Sequence, residues 1–129
     1  MRYLGIDYGQ KRIGIALSDE RGEFAFPKET VVVDKNILKT LAMIAAREKV
    51  GGVVIGDTRA STGAENPITE EADAFAAALE KELDVPVHRA REAWSSVEAA
   101  RFAPKGAHDD SAAAAIILQR FLDVQPKNA

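Results

Sequence analysis

The beginning of the fold is decided by the stretch Leu4-Gly5-Ile6-Asp7-Tyr8-Gly9-Gln10-Lys11-Arg12-Ile13-Gly14-Ile15-Ala16-Leu17-Ser18. An apolar run leads into a carboxylate, then into a turn with glycine and basic residues, then into a second apolar run. This pattern predicts a β-hairpin whose first strand ends at Asp7. A carboxylate among apolar neighbours is costly unless it is compensated, and a metal ion is a common compensation. The alternative explanation is that Asp7 caps the turn.

The composition predicts one globular domain over residues 1–129, with 47% apolar and 29% charged residues. The longest apolar run, 112–118, is too short to cross a bilayer, and no apolar signal segment opens the chain. We therefore expect a cytoplasmic protein without a membrane partner. The absence of cysteine excludes thiolate metal sites and thiol nucleophiles. With only two histidines, a metal site would rest on carboxylate oxygens, which suits Mg²⁺ or Mn²⁺.

The charge is unevenly distributed along the chain. The net charge of −3 argues weakly against a nucleic-acid partner. Residues 65–84, however, carry seven acids and a single base. If this stretch forms one solvated helix face, the rest of the surface can still be basic.

The order of hydrophobic patterns and turn signals predicts an α/β protein. The predicted elements are strands at 3–7, 12–18 and 24–33, a helix from about 34 to 49, a strand at 53–56, a helix from 67 or 69 to 83, a strand at 85–89, a short helix at 95–102, and a last helix from 109 or 110 to 124. A three-strand antiparallel meander followed by two βα units predicts a mixed five-stranded sheet with helices on both faces. Pro27 places the third strand at an edge, and Gly51-Gly52 is expected to stop the first helix.

Three acids occupy comparable places in this scheme. Asp7 ends the first strand, Glu92 follows the fifth strand, and Asp110 lies in the first turn of the last helix. Three carboxylates that meet at one end of a sheet would bind divalent cations, and two such cations can catalyse phosphodiester hydrolysis. The alternatives are a favourable charge at a helix N-terminus for Asp110 and a solvated loop acid for Glu92.

Several basic residues lie near this predicted site. Lys11 and Arg12 follow Asp7 and would meet substrate phosphates, or else they are solvated charges at the hairpin tip. Four more bases are expected to form a shallow basic rim: Arg59, Arg89, Arg91 and Lys105. Such residues would bind nucleic acid, although many surface bases have no specific role.

The motifs resemble those of the YqgF/RuvX family across nearly the whole chain, in collinear order. Asp7-Tyr8-Gly9-Gln10-Lys11-Arg12-Ile13-Gly14 resembles the opening motif of the family, and 110–119 resembles its closing motif. Val54-Ile55-Gly56 and Ser95-Ser96-Val97-Glu98-Ala99 resemble segments between them. The resemblance implies a ribonuclease H-like fold related to Holliday-junction resolvases. It also implies a nuclease that resolves junctions or matures the small-subunit rRNA precursor, with Asp7, Glu92 and Asp110 as metal-binding acids.

Two departures from the family pattern bear on activity. The family usually has Asp-Glu-Arg after the fifth strand, whereas this chain has Arg91-Glu92-Ala93. The loop before the last helix, 103–107, is short, whereas the family often has a longer, lysine-rich segment there. Both changes leave room for altered substrate choice or weakened catalysis.

The first hypothesis is therefore a metal-dependent nuclease that acts on structured RNA or branched DNA. The second is a non-catalytic nucleic-acid-binding or ribosome-assembly module on the same fold. A third, a fragment related to actin-like or sugar kinases, is disfavoured because the chain is too short for their two lobes. The sequence leaves the oligomeric state open, a homodimer included.

Overall fold

The computed structural model describes residues 1–56, 67–90 and 110–124, with side chains from residue 70 in the second of these ranges. Its elements are β1 (Arg2–Asp7), β2 (Arg12–Ser18), β3 (Ala25–Val32), α1 (Ile37–Arg47), β4 (Val50–Gly56), α2 (Pro67–Leu83), β5 (Val87–Ala90) and α3 (Asp110–Val124). The prediction of a short helix at 95–102 lies outside the described residues.

The strands form one five-stranded sheet in the order β3-β2-β1-β4-β5. β1 pairs antiparallel with β2 and parallel with β4, and β5 adds parallel to β4. β3, which contains Pro27, lies at an edge as predicted. The mixed sheet with an antiparallel meander is therefore confirmed, and it makes β1 the central strand.

Helices cover both faces of the sheet, as predicted. Leu4 and Ile6 of β1 pack with α1 and α2 in one core cluster. Tyr3 of β1 packs on the opposite face with α3, where Phe121 meets its ring at a centroid distance of 5.4 Å. Because side chains alternate along a strand, the odd-numbered positions of β1 face α3. Asp7 is one of these positions.

Helix α1 buries one face in the core, but its predicted stop is wrong. The helical spacing of Ile37, Leu41, Ile44 and Ala45 places all four side chains in the core. The helix nevertheless ends at Arg47, and Lys49 makes the turn with a left-handed φ of 56°. The Gly51-Gly52 pair lies inside β4, where the ring of Tyr3 covers Gly52. The close packing of Tyr3 against β4 therefore explains why residue 52 is a glycine. The glycine does not end the helix.

Helix α2 carries the acidic stretch. Its acids Glu70, Glu71, Glu80 and Glu82 are exposed, and Asp73 is half-buried. Ala72, Ala76 and Leu79 are buried on its other face. Among the described residues, the acids of α2 therefore lie away from the core, four of them exposed to solvent. No helix among them is long and apolar enough to cross a membrane.

Asp19 organises the turn between β2 and β3. Its Oδ1 accepts hydrogen bonds from the backbone N–H groups of Glu23 at 2.7 Å and Phe24 at 3.1 Å. Burial opposes ionisation of this carboxyl, but the backbone hydrogen bonds outweigh that effect and hold the pKa of Asp19 below its ordinary value. A carboxylate with a lowered folded-state pKa stabilises the fold above its unfolded pKa, and this stabilisation is lost as pH falls through the folded pKa.

We expect Asp19→Ala to lower the free energy of unfolding by about 1 kcal/mol at pH 7. The difference from the wild type should shrink below about pH 4, because the carboxyl is then protonated first in the unfolded state and, at lower pH, in the folded state as well. Urea denaturation at pH 7 and pH 3 measures both quantities. Glu29→Ala, which removes an exposed carboxylate from β3, is the control. A cost for Asp19→Ala that stays constant with pH would contradict this role.

Candidate active site

Asp7 lies at the carboxyl end of the central strand, between two glycines. In the sheet register its neighbours are Gly14 on β2 and Gly56 on β4. Its side chain is only 6% exposed and belongs to the face that α3 covers. The carboxylate therefore lies in a recess whose two flanking positions carry no side chain.

The glycines allow the last helix to approach the sheet closely. A Cβ atom on Gly14 would collide with the backbone carbonyl of Asp110, and it would lie 2.8 Å from the Asp110 Cβ. A Cβ on Gly56 would lie 2.7–2.9 Å from side-chain atoms of Ile117. The first turn of α3 consequently rests directly over the row of residues that contains Asp7.

Asp110 is the first residue of α3, and its side chain is 26% exposed. A carboxylate here is favoured by the positive N-terminal end of the helix dipole. Its Oδ2 also lies 3.5 Å from the Nε of Arg12 at the start of β2. The arginine side chain is 64% exposed, so this ion pair is largely solvated and weak.

The structure thus brings two of the three predicted acids, Asp7 and Asp110, to one end of the sheet. The third, Glu92, lies outside the described residues. Within the ranges that the structure describes, no group of three His, Cys, Asp or Glu side chains is arranged to hold a metal ion. The donor chemistry still fits the predicted cation, since a buried carboxylate beside a second one offers the hard oxygen ligands that Mg²⁺ and Mn²⁺ prefer.

The structure describes three of the predicted basic residues: Lys11, Arg12 and Arg89. Lys11 and Arg12 are exposed at the hairpin beside Asp7, with Arg12 directed at Asp110. Arg59, Arg91 and Lys105 lie outside the described residues.

The prediction that Arg89 belongs to a basic rim is wrong. It lies within β5, and its guanidinium binds Asp73 of α2 at 2.7 Å and the carbonyl of Ile55 at 3.1 Å. Strand alternation turns it to the face opposite α3, where α2 supplies the counter-ion.

Two contacts that sequence reasoning missed hold the hairpin against α2. The ring of Tyr8 packs on that of Phe75 at 5.2 Å, and the side-chain amide of Gln10 donates to the carboxylate of Glu71 at 2.9 Å. Glu71 belongs to the acidic stretch that the sequence presented as a solvated face. No local pattern indicates which acid meets the hairpin, because this depends on where α2 packs.

Comparisons with protein families and with individual proteins agree on one family. A family model described as RuvX, Holliday junction resolvase, matches residues 1–124. A protein of Oleidesulfovibrio alaskensis named "Putative pre-16S rRNA nuclease" is 36% identical over 134 residues, covering 96% of this chain and 93% of its own. A protein of Koribacter versatilis with the same name is 35% identical over 132 residues, covering 95% of this chain and 86% of its own.

Solved structures support the fold. The Thermus thermophilus RuvC structure superposes with a TM-score of 0.64 at 16% identity, covering 95% of this chain and 94% of that one. The fowlpox virus Holliday junction resolvase gives a TM-score of 0.59 at 12% identity, covering 97% of this chain and 100% of that one. These likenesses confirm the ribonuclease H-like architecture. The family model and the relatives together, each spanning nearly the whole sequence, show that this chain belongs to the RuvX family.

Proposed function

We propose that this protein is a metal-dependent nuclease that hydrolyses phosphodiester bonds in structured nucleic acid, with precursor 16S rRNA as the favoured substrate. The observation that carries the proposal is the recess of Asp7 between Gly14 and Gly56, directly beneath the first turn of α3 and its Asp110. The names of the relatives support the rRNA substrate, and the names of the solved resolvases support a four-way DNA junction as the second candidate.

Asp7 and Asp110 would hold Mg²⁺ or Mn²⁺ in this proposal, with Glu92 as the third ligand. Ala90, the last residue of β5, belongs to the same register row as Asp7 through Gly56. It lies two strand spacings, or about 10 Å, from Asp7. Glu92 follows Ala90 by two residues in the sequence. When bound, the metal would activate water and stabilise the leaving oxygen.

The protein's own groups would prepare the site for this chemistry. Burial of Asp7 keeps its carboxylate away from bulk water, which strengthens its interaction with a cation. Lys11 and Arg12 stand exposed beside it and would hold substrate phosphates, together with Arg59, Arg91 and Lys105. The substrate would meet the protein in the cytoplasm. A homodimer that presents two such sites is compatible with a branched substrate.

A non-catalytic nucleic-acid-binding or ribosome-assembly role is the alternative. It is favoured by Arg91 and Ala93 in place of the usual acid and base, and by the short 103–107 loop. Cleavage separates the two proposals, because both predict binding and only the first predicts strand scission.

To test the proposal, the protein is incubated separately with an end-labelled RNA that contains the 16S precursor ends and with a four-way DNA junction. Mn²⁺, Mg²⁺ and excess EDTA are compared. Metal-dependent cleavage of the RNA confirms the favoured substrate, and cleavage of the junction alone favours resolution. Binding without cleavage of either substrate overturns the nuclease proposal in favour of the binding module.

The Arg12–Asp110 ion pair gives a further prediction for this site. A cation at Asp110 must compete with the Arg12 guanidinium, so Arg12→Ala should raise Mn²⁺ affinity by about two- to fivefold. RNA affinity should fall, with a salt slope reduced by about 0.9, because one phosphate contact is lost. Isothermal titration of Mn²⁺ and salt-dependent RNA binding measure the two effects. Lys39→Ala on α1 is the charge-matched control, and unchanged metal affinity in Arg12→Ala would contradict the competition.

A further inference from the structure

A second charged site lies at the opposite end of the molecule from Asp7. An open basin of about 420 Å³ is lined by Arg2, Glu20, Arg47, Glu48 and Lys49. Arg2 begins β1 and Asp7 ends it, so the basin lies about 17 Å from the candidate active site along the strand. None of its residues belongs to the metal and phosphate contacts proposed above.

The basin carries an excess of positive charge although the whole chain is acidic. The Glu48 carboxylate lies 3.4 Å from the Arg2 guanidinium, 3.4 Å from that of Arg47 and 3.5 Å from the Lys28 ammonium. With Lys49 in the lining and Lys28 beside it, four cations lie in or next to the basin, against the carboxylates of Glu48 and of the highly exposed Glu20, which is 3.9 Å from Arg2. Four cations against two acids leave a local charge of +2, whereas the chain carries −3.

The Arg2 guanidinium is not saturated by these contacts. Its Nε is buried and has no hydrogen-bond partner among the described residues, although the side chain as a whole is 27% exposed. A buried donor without an acceptor is unfavourable. Because the Nε itself is buried, a phosphate would bind the terminal N–H groups of the guanidinium, which can donate to two phosphate oxygens at once.

Lys49 adds a conformational observation. It occupies the left-handed position after α1, at φ 56°, where glycine is the usual residue because a side chain is strained there. Asp84, which follows α2, adopts the same conformation at φ 55° without lining the basin, so this backbone conformation marks the end of a helix. What Lys49 contributes to the basin is its ammonium group.

We propose that this basin binds the phosphate backbone of the nucleic-acid substrate at a point remote from the scissile bond. The choice of nucleic acid rests on the proposed function. A small molecule would require an enclosed and mainly apolar pocket, whereas this basin is open and lined by long charged side chains.

The test uses Arg47→Ala/Lys49→Ala and a labelled RNA hairpin of twenty base pairs, titrated at several salt concentrations. We expect an approximately tenfold loss of affinity and a salt slope lower by about 1.8, since each phosphate contact contributes about 0.9. Lys35→Ala/Lys39→Ala removes the same charge from exposed positions before and within α1 and should change neither quantity. Equal losses in both double variants would show general electrostatic attraction and would overturn the proposal.

Lys49→Gly separates binding from structure. Glycine relieves the left-handed backbone strain, so the midpoint of thermal unfolding should rise by about 3 °C. RNA affinity should fall about threefold at the same time, because the ammonium is lost. A more stable protein with unchanged RNA affinity would assign Lys49 a structural role only and would contradict the proposal.

A short hairpin, with only three base pairs beside the scissile bond, distinguishes failure of the basin proposal from failure of the nuclease proposal. Its cleavage is measured for the wild type and for the double variant. Such a substrate cannot reach the basin, so the double variant should cleave it as the wild type does. If the wild type cleaves neither hairpin, the nuclease proposal fails while the binding result still decides the basin. If both proteins cleave and bind the long hairpin equally, only the basin proposal fails.

Discussion

Asp7→Asn is expected to lower metal-dependent cleavage by at least about a hundredfold while the fold stays intact. A catalytic metal contributes several kcal/mol to transition-state stabilisation, and 1.36 kcal/mol corresponds to a factor of ten in rate. The amide keeps the shape of the side chain in its recess between Gly14 and Gly56, but it offers a neutral oxygen where a cation requires an anionic one. Cleavage rate, Mn²⁺ affinity and thermal unfolding should be measured on the same preparations.

Asp84→Asn provides a matched control for this change. Asp84 is an exposed carboxylate just after α2, at the end of the sheet where β5 begins, far from Asp7. The control should retain the wild-type rate and metal affinity. A fully active Asp7→Asn protein would refute the catalytic assignment, and an inactive one with a collapsed unfolding transition would show a structural role instead.

Among glycine-to-alanine changes in the described part of the sheet, Gly14→Ala should lower the free energy of unfolding the most. The added Cβ would collide with the backbone carbonyl of Asp110, and backbone cannot rotate away as a side-chain end can. The start of α3 would have to move off the sheet, at a cost of at least about 3 kcal/mol out of a total stability of about 5–15 kcal/mol. Metal affinity should fall as well, since Asp110 would leave Asp7. Urea denaturation and Mn²⁺ titration measure the two effects.

Gly51→Ala is the control for the added methyl group. A Cβ there would meet only the Met1 side chain, whose Cγ and Sδ lie 2.6 and 2.7 Å away. An unbranched methionine can change rotamer, so the cost should be under about 1 kcal/mol. Both variants gain the same preference of alanine over glycine in a strand. Equal costs for the two would disprove the close approach of α3 at Gly14.

The elements with strong periodicity could be predicted from the sequence alone. β2 has the predicted bounds 12–18, and α3 begins at Asp110, one of the two predicted positions. α2 runs from Pro67 to Leu83, also within its prediction. In each case an apolar repeat coincides with a start or stop signal, so the local sequence contains the information needed.

The end of α1 shows where local signals fail. The sequence offers two glycines as a stop, but the helix ends earlier and Lys49 adopts the left-handed turn. Gly51 and Gly52 instead leave space for the side chains of Met1 and Tyr3, which pack against β4. A glycine has several structural uses, and only the packing of distant residues shows which one applies.

The position of Asp7 and Asp110 could be predicted from the sequence, but the partners of the neighbouring arginines could not. Strand and helix boundaries alone place Asp7 and Asp110 at one end of the sheet. The ion pairs of Arg12 with Asp110 and of Arg89 with Asp73 depend on which helix lies over each strand. That choice follows from tertiary packing, so two arginines that look alike in the sequence have different surroundings.

The contact between α3 and the first hairpin also has a consequence for the timing of folding. Arg12 and Asp110 are separated by 98 residues, and α3 is the last described element of the chain. Synthesis proceeds from the N-terminus, and contacts between distant residues form slowly. A nascent chain can therefore form the hairpin long before the second acid emerges from the ribosome. The two carboxylates of the candidate site would meet only after α3 has been synthesised, so a chain terminated before residue 110 would carry Asp7 without Asp110.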